Sequence, residues 1–340
     1  MPPSSIPVLS IAPFLCPTAS HDEKADTAAT LDAAFRTVGF AHLTAHGIDA
    51  AQVDACFSWS KSFFSLPPST KLLSPHPPSG SHHRGYSAPG VEKLSQNVFT
   101  PAELAALRAV PDYKESFDSG NPADATQPNI WPPEGVLPGF QPFMEGFFFE
   151  LEGVVKAVLR ALALALGLEE GFLERKHAQA LFQLRLLHYP PIPADMLRKD
   201  EAEVARIAAH SDFGTLTLLF QDEIGGLEIQ DPVSRRWRSA DAVPGAVLVN
   251  VGDLLERWSN GRWCSAVHRV VGPEDAEDMI PARYSIPYFA TADPGTVIEA
   301  LPGCWGEDNP KKFEAVTAWD YVQMRMAALY AGSGDDDDED

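Results

Sequence analysis

His210 and Asp212 are separated by a single serine, and His268 lies further along the chain. Two imidazoles and one carboxylate make a three-point ligand set that leaves half of an octahedral metal open. That is the donor set of a non-haem Fe(II) site that activates O2. In extended backbone, side chains repeat every two residues, so His210 and Asp212 share a face and one strand end can offer both. His268 opens a second strand-like run. Zinc accepts similar ligands, but its catalytic sites usually keep one open position rather than three. An isolated His-x-Asp is weak evidence. In the ordinary structural alternative, His210 makes a local hydrogen bond and Asp212 caps the Phe213-Gly214 turn.

Arg283 and Ser285 shift the balance toward chemistry. They share a strand face, with Phe289 two alternations further along. A guanidinium near a barrel interior needs an anionic partner, and a carboxylate fits its fork. Ser285 can donate one more hydrogen bond to the same anion. A buried structural Arg–Asp pair is the competing account. By the same alternation, Arg185, Leu187 and Tyr189 share a face and add a cation and a phenol.

The elements that must position these residues fall into two regimes. Toward the N-terminus, Ile6 to Ile11 reads as a strand, Asp22 to Val38 as a helix, Phe40 to Leu43 as a short strand and Ala50 to Phe64 as a second helix. Residues 66–142 are rich in Pro, Gly and Ser and read as mainly irregular, with a short helix over Pro101 to Arg108. A connection of that length usually covers something, so residues 72–98 are expected to contribute to a pocket cover. Arg84 and Tyr86 could meet a substrate there, with a surface Arg and a core Tyr as the plain alternative. Phe140 to Leu168 reads as one long helix.

Beyond Leu181 the period changes to strands: Leu181 to Tyr189, Val204 to Ala209, Leu216 to Phe220, Leu227 to Gln230, Ala246 to Val251, Val267 to Val271 and Arg283 to Phe289. Short strands joined by Gly- and Pro-containing turns indicate an antiparallel barrel or jelly roll rather than βα repeats. The fold class is therefore mainly β with flanking helices and a double-stranded β-helix core. A final helix is expected over Phe313 to Tyr330. The chain divides into an N-terminal region (1–142), a long supporting helix and its connection (143–180), a catalytic core (181–290), a C-terminal extension with its helix (291–331) and a disordered acidic tail (332–340).

Composition narrows the functional classes. The 340 residues are 45% hydrophobic, enough for a substantial core. A formal net charge of -21 argues against a nucleic-acid surface. Asp335 to Asp340 supply six of those charges. Cys16, Cys56, Cys264 and Cys304 form no C-x-x-C pair and are expected mostly as buried thiols. No secretory signal is read at the N-terminus, and the most apolar stretch is too charged to cross a bilayer. A cytoplasmic enzyme with a small-molecule substrate, no nucleic-acid partner and no membrane is the expectation; oligomeric state is not read. His42, His46 and His188 are not assigned as ligands, and Trp237, Trp258 and Trp263 are read as packing groups.

Taken together, these motifs resemble the iron(II)/2-oxoglutarate-dependent dioxygenases of the isopenicillin N synthase-like group. The resemblance spans nearly the whole chain through Gly39-Phe40, His46-Gly47-Ile48, Leu184 to Pro190, His210 to Gly214, Asn250 to Asp253, Trp258 to Gly261, His268 to Val270 and Arg283 to Ser285. It implies His210, Asp212 and His268 as iron ligands, Arg283 and Ser285 as holders of the distal carboxylate of 2-oxoglutarate, and Tyr189 as a further cosubstrate contact. The family's asparagine two residues before that tyrosine is Leu187 here. The implied reaction consumes O2 and 2-oxoglutarate, releases succinate and CO2, and hydroxylates a substrate C–H bond. A 2-oxoglutarate-independent Fe(II) oxidase or cyclase, and an inactive jelly-roll binding protein, are the competing readings.

A narrower resemblance, to fungal thymine dioxygenase-like proteins, rests on Arg84 to Gly90, Lys114 to Ser116, Leu184 to Pro190 and Phe220 to Gly226. It implies a pyrimidine or other flat heterocycle as substrate, met by Arg185 and Phe289. Phe213 stands where that subgroup has a tyrosine, which keeps ring stacking and loses a hydroxyl.

Overall fold

The computed structural model describes residues 5–78, 82–92, 112–194, 206–272 and 278–330. The expected helix over Pro101 to Arg108 and the acidic tail lie outside these residues.

The N-terminal part begins with strand β1 (Val8–Ser10), helix α1 (His21–Thr37), β2 (Phe40–Thr44) and α2 (Ala50–Phe64). Ser20 and Glu23 form a capping box at the start of α1, and Asp49 caps α2 by accepting from the Ala51 N–H. A short helix α3 (Pro68–Lys71) leads to β3 (Gly85–Ser87) and β4 (Glu115–Gly120). These two strands lie within a stretch whose described residues are otherwise mainly irregular, as expected. All six residues of β4 are buried, yet its sequence is Glu-Ser-Phe-Asp-Ser-Gly. Apolar alternation therefore could not reveal it.

The long helix α4 (Phe140–Ala165) begins after Gly139, which takes φ 90. The strands that follow are β5 (Gln183–Tyr189), β6 (Ile192–Pro193), β7 (Ile207–His210), β8 (Leu216–Gln221), β9 (Leu227–Gln230), β10 (Trp237–Ser239) and β11 (Ala246–Val251). A short helix α5 (Asp253–Trp258), absent from the sequence reading, precedes β12 (His268–Val270), β13 (Met279–Ile280) and β14 (Arg283–Ala290). The chain then forms β15 (Val297–Ile298), β16 (Val316–Thr317) and α6 (Ala318–Tyr330). The last helix starts later than expected from Phe313 because β16 pairs with β15. Phe313 instead lies under Arg257, with the guanidinium carbon 5.0 Å from its ring centroid.

Eight strands form the main sheet in the order β1-β2-β11-β8-β14-β5-β4-β3, and four form a smaller sheet, β10-β9-β12-β7. Period-two alternation assigns the two faces of the main sheet. Leu184 and Leu186, Leu216 and Leu218, Val247 and Val249, and Ile286 and Tyr288 share a core with Phe147, Leu151, Val154 and Val158 of α4. Full burial of such side chains contributes about 1.5–3 kcal/mol each. Tyr288 also donates its hydroxyl to the Phe148 carbonyl at 3.0 Å, tying sheet to helix. On the opposite face Leu187, Tyr189 and Leu248 pack with Ile207, Leu227, Ile229 and Val270 of the smaller sheet. The cavity opens between these two sheets, as a jelly-roll core requires.

Trp258 and Trp263 are fully buried, in keeping with packing roles. The cysteines are mixed: Cys56 and Cys304 are buried, Cys264 is partly exposed and Cys16 is exposed. No described helix is long and apolar enough to cross a membrane.

Candidate active site

Strand pairing answers whether the separated ligands meet. His268 on β12 lies directly opposite His210 on β7 in antiparallel register. Their ring centroids are 4.3 Å apart, and His268 Nε2 stands 3.8 Å from Asp212 Oδ1. One donor atom from each residue falls within 4.8 Å of the others, and all three residues are buried.

Both imidazoles are oriented by backbone carbonyls. His210 Nδ1 lies 2.8 Å from the Ala208 carbonyl, and His268 Nδ1 lies 3.2 Å from that of Ala266. A carbonyl only accepts, so each Nδ1 carries the proton and each Nε2 keeps its lone pair for a metal. Burial, then the neighbouring His268, pushes His210 down to about 3, so it stays neutral. Burial works against ionisation of Asp212, but His268, His210 and two hydrogen bonds hold its carboxyl below the ordinary value. Those bonds come from Thr217 Oγ1 at 2.7 Å and Asn250 Nδ2 at 2.6 Å, both to Oδ2.

The ligand loop packs against backbone at Gly252. The Asp253 N–H donates to the Asp212 carbonyl at 2.8 Å, and a Cβ on Gly252 would stand 2.3 Å from the Gly214 carbonyl oxygen. Only glycine permits that approach.

Arg283 sits opposite Tyr189, and Ser285 opposite Leu187, in the β14–β5 pairing. The Arg283 guanidinium is buried and donates to the Gly225 carbonyl at 2.9 Å, Gln221 Oε1 at 2.9 Å and Ser285 Oγ at 3.2 Å. Its carbon lies 5.0 Å from the Tyr189 ring centroid. All of these partners are neutral, and among the described residues Arg283 forms no salt bridge. A buried cation without a counter-ion is the complement of an anionic ligand. Arg206 reinforces it: the residue is buried, Nε and Nη1 have no hydrogen-bond partner among the described residues, and its guanidinium carbon is 5.9 Å from the same Tyr189 ring. Burial, then Arg283, pushes Arg206 down to about 10.

One cavity is lined by His210, Asp212, His268, Arg283, Ser285, Tyr189, Arg185, Phe213 and Phe289. Two expected substrate contacts are corrected. Arg84 is buried against the Gln127 carbonyl (3.2 Å), the His83 carbonyl (2.7 Å) and Asp124 (3.2 Å). Tyr86 donates to Glu115 at 2.6 Å and packs with the Phe63 core. Both lie on or beside the outermost strand of the main sheet and do not line the cavity. His83 does line it. From the C-terminal helix, Val322 and Met326 complete the wall. Sequence reasoning missed Asn250, Thr217, Arg206, His83 and these two apolar residues. Thr217 and Asn250 had a signal, since each sits at the cavity-facing parity of its strand.

His76, His83 and Glu92 also place donor atoms within 4.8 Å of one another. Glu92 is already paired with Arg185 and Lys114. Among the described residues these two cations offset its charge, which disfavours a further cation there.

The site and fold define a non-haem iron oxygenase. Residues 180–292 match the 2OG-Fe(II) oxygenase superfamily, and residues 6–134 match the family described as non-haem dioxygenase in morphine synthesis N-terminal. The chain belongs to the Fe(II)/2-oxoglutarate oxygenase superfamily and is a 2-oxoglutarate-dependent dioxygenase. It is 39% identical to the 2-oxoglutarate-Fe(II) type oxidoreductase ppzD of Metarhizium rileyi, over 87% of this chain and 84% of that one. It is also 39% identical to the proline hydroxylase buaE of Petromyces alliaceus, over 88% and 92%. A full-length Neurospora crassa protein, solved in complex with alpha-KG and thymine, superposes with TM-score 0.85 at 36% identity, over 95% of this chain and 96% of that one.

Proposed function

We propose that this dioxygenase hydroxylates a small, flat heterocycle of the pyrimidine class, in the cytosol. The observation that carries the reading is the placement of Phe213, Phe289 and Arg185 in the same cavity as the His210–Asp212–His268 cluster. Two aromatic side chains suit a planar ring, and the likeness to the thymine-bound Neurospora crassa structure supports the pyrimidine class.

In this reading His210 Nε2, His268 Nε2 and Asp212 Oδ1 hold Fe(II), while Thr217 and Asn250 fix the carboxylate. Arg283 and Ser285 receive the distal carboxylate of 2-oxoglutarate, and the Tyr189 ring supports the guanidinium. When bound, iron and 2-oxoglutarate supply oxidation by O2, yielding succinate, CO2 and a hydroxylated substrate. The chain's own contribution is placement and exclusion of water. Phe213 and Phe289 orient the ring, and Val322 and Met326 close the apolar side. The buried cations Arg283 and Arg206 favour the dianionic cosubstrate and so favour this reading over a 2-oxoglutarate-independent oxidase.

Thymine-triggered succinate formation by the Fe(II)-loaded protein is the test. His210→Ala and Asp212→Ala should abolish it while circular dichroism remains unchanged. Undiminished turnover in either variant would overturn the ligand assignment. Turnover with free proline and none with thymine would overturn the substrate class.

A further inference from the structure

The cavity contains two arginines in opposite electrostatic states. Arg283 is held by neutral acceptors, as described above. Arg185 is held by carboxylates: Nε donates to Asp118 Oδ1 at 2.6 Å and Nη2 to Asp118 Oδ2 at 2.9 Å. Its other edge meets Glu92, with Nη1 to Oε2 at 2.9 Å and Nη2 to Oε1 at 3.0 Å. Lys114 donates to Glu92 as well. The side chains of Arg185, Lys114, Glu92 and Asp118 are all less than a tenth exposed. Among the described residues, these two cations and two anions sum to zero. Burial pushes the adjoining His83 down to about 3, so it adds no charge at neutral pH.

A guanidinium has five N–H donors, and the two carboxylates of Asp118 and Glu92 occupy both its forks. A substrate carboxylate approaching Arg185 would lose its hydration and find the fork already taken, with two anions directly behind it. A neutral ring with a carbonyl acceptor meets no such penalty.

We propose that Glu92 and Asp118 determine substrate charge: by neutralising Arg185 they turn an anion receptor into an uncharged wall that selects neutral substrates over carboxylates. The anionic cosubstrate is thereby confined to Arg283, and the two ligands of one cavity are sorted by charge. This inference rests on the reading that substrate lies against Arg185.

The test is calorimetric binding to the protein loaded anaerobically with Fe(II) and 2-oxoglutarate. Two matched pairs serve as probes: thymine against orotate, and N-acetylprolinamide against N-acetylproline. The wild type is expected to prefer the neutral member of each pair by roughly tenfold or more, because like-charge juxtaposition is costly. Glu92→Gln should shrink or reverse that preference while leaving 2-oxoglutarate affinity unchanged. Lys114→Met keeps both carboxylates on Arg185 and adds one net negative charge, so it should widen the preference; it serves as the test if Glu92→Gln does not fold. Equal or tighter binding of the anions by the wild type would overturn the inference, as would an unchanged ratio in both variants. Neutral preference within the proline pair without thymine binding would overturn the pyrimidine reading and leave the charge inference standing. Thymine turnover with orotate bound equally well would do the reverse, and failure of all four probes to bind would overturn both.

Discussion

Asn250 donates its amide to Asp212 Oδ2 at 2.6 Å, which leaves Oδ1 directed toward His268 Nε2 at 3.8 Å. The bond joins β11 to the loop that follows β7, two elements that do not pair with each other. Together with Thr217 it occupies Oδ2, so that Oδ1 is the oxygen left to a bound metal in the proposed reading. Groups that orient a metal ligand typically govern affinity by about 10–100-fold. Asn250→Ala should therefore weaken Fe(II) binding by that order with little change in melting temperature. Metal titration of the variant is the check, and an unchanged affinity would remove Asn250 from the site.

Arg283 has no ion pair among the described residues and three neutral acceptors around its fork. Its replacement by alanine removes a buried cation from the cavity lining. Truncating one partner of a buried charged pair costs about 2–5 kcal/mol, which corresponds to roughly 30-fold or more in the dissociation constant. Arg283→Lys keeps the charge and loses the fork, so its affinity for 2-oxoglutarate should fall between the two. Isothermal titration of 2-oxoglutarate into each variant measures the series, and identical affinities would exclude Arg283 as the anchor.

The parts of this site that were legible in the sequence obey short-range rules. His210 and Asp212, Arg283 and Ser285, and Arg185, Leu187 and Tyr189 are each spaced by two on extended backbone, so each set shares a face. Pairing of His268 with His210 depends on sheet register, which the resemblance implied and the structure supplies. Glu92 and Asp118 were not legible. They reach Arg185 across separations of 93 and 67 residues, from a stretch with no apolar period to mark a strand. Arg84 and Tyr86 misled for the same reason. A polar stretch gives no sign of which face will be buried, and both side chains turned to structural partners.

Arg325 links the C-terminal helix to the ligand loop. It pairs with Asp253 and reaches Ser211 Oγ at 3.4 Å, and its guanidinium carbon lies 4.3 Å from the Phe213 ring centroid. Val322 and Met326 of the same helix line the cavity. Arg325→Met leaves Asp253 buried without its cation, although Tyr321 and Ser265 still donate to it. Such a break costs about 3–5 kcal/mol. The variant should melt lower and show a raised KM for the organic substrate, with Fe(II) affinity nearly intact. A normal substrate KM would mean that Arg325 does not position this wall for the substrate.

His177, which is not one of the metal-cluster residues, carries a pH dependence of its own. It is buried, its Nδ1 donates to the Leu173 carbonyl at 2.8 Å, and its Nε2 then accepts from Thr215 Oγ1 at 2.8 Å. Burial, partly offset by the Leu173 bond, pushes it from its ordinary value of 6.5 to about 4. The unfolded chain therefore takes up the proton first as pH falls. This contribution to stability is complete above about pH 6.5 and is lost progressively toward pH 4. His177→Gln removes the titrating group while retaining polar atoms for Thr215. Denaturant unfolding of both proteins at pH 7 and pH 5 gives the comparison. The variant should lose less stability than the wild type on acidification, whatever its starting value; an equal loss would show that His177 protonates as readily in the folded protein as in the unfolded chain.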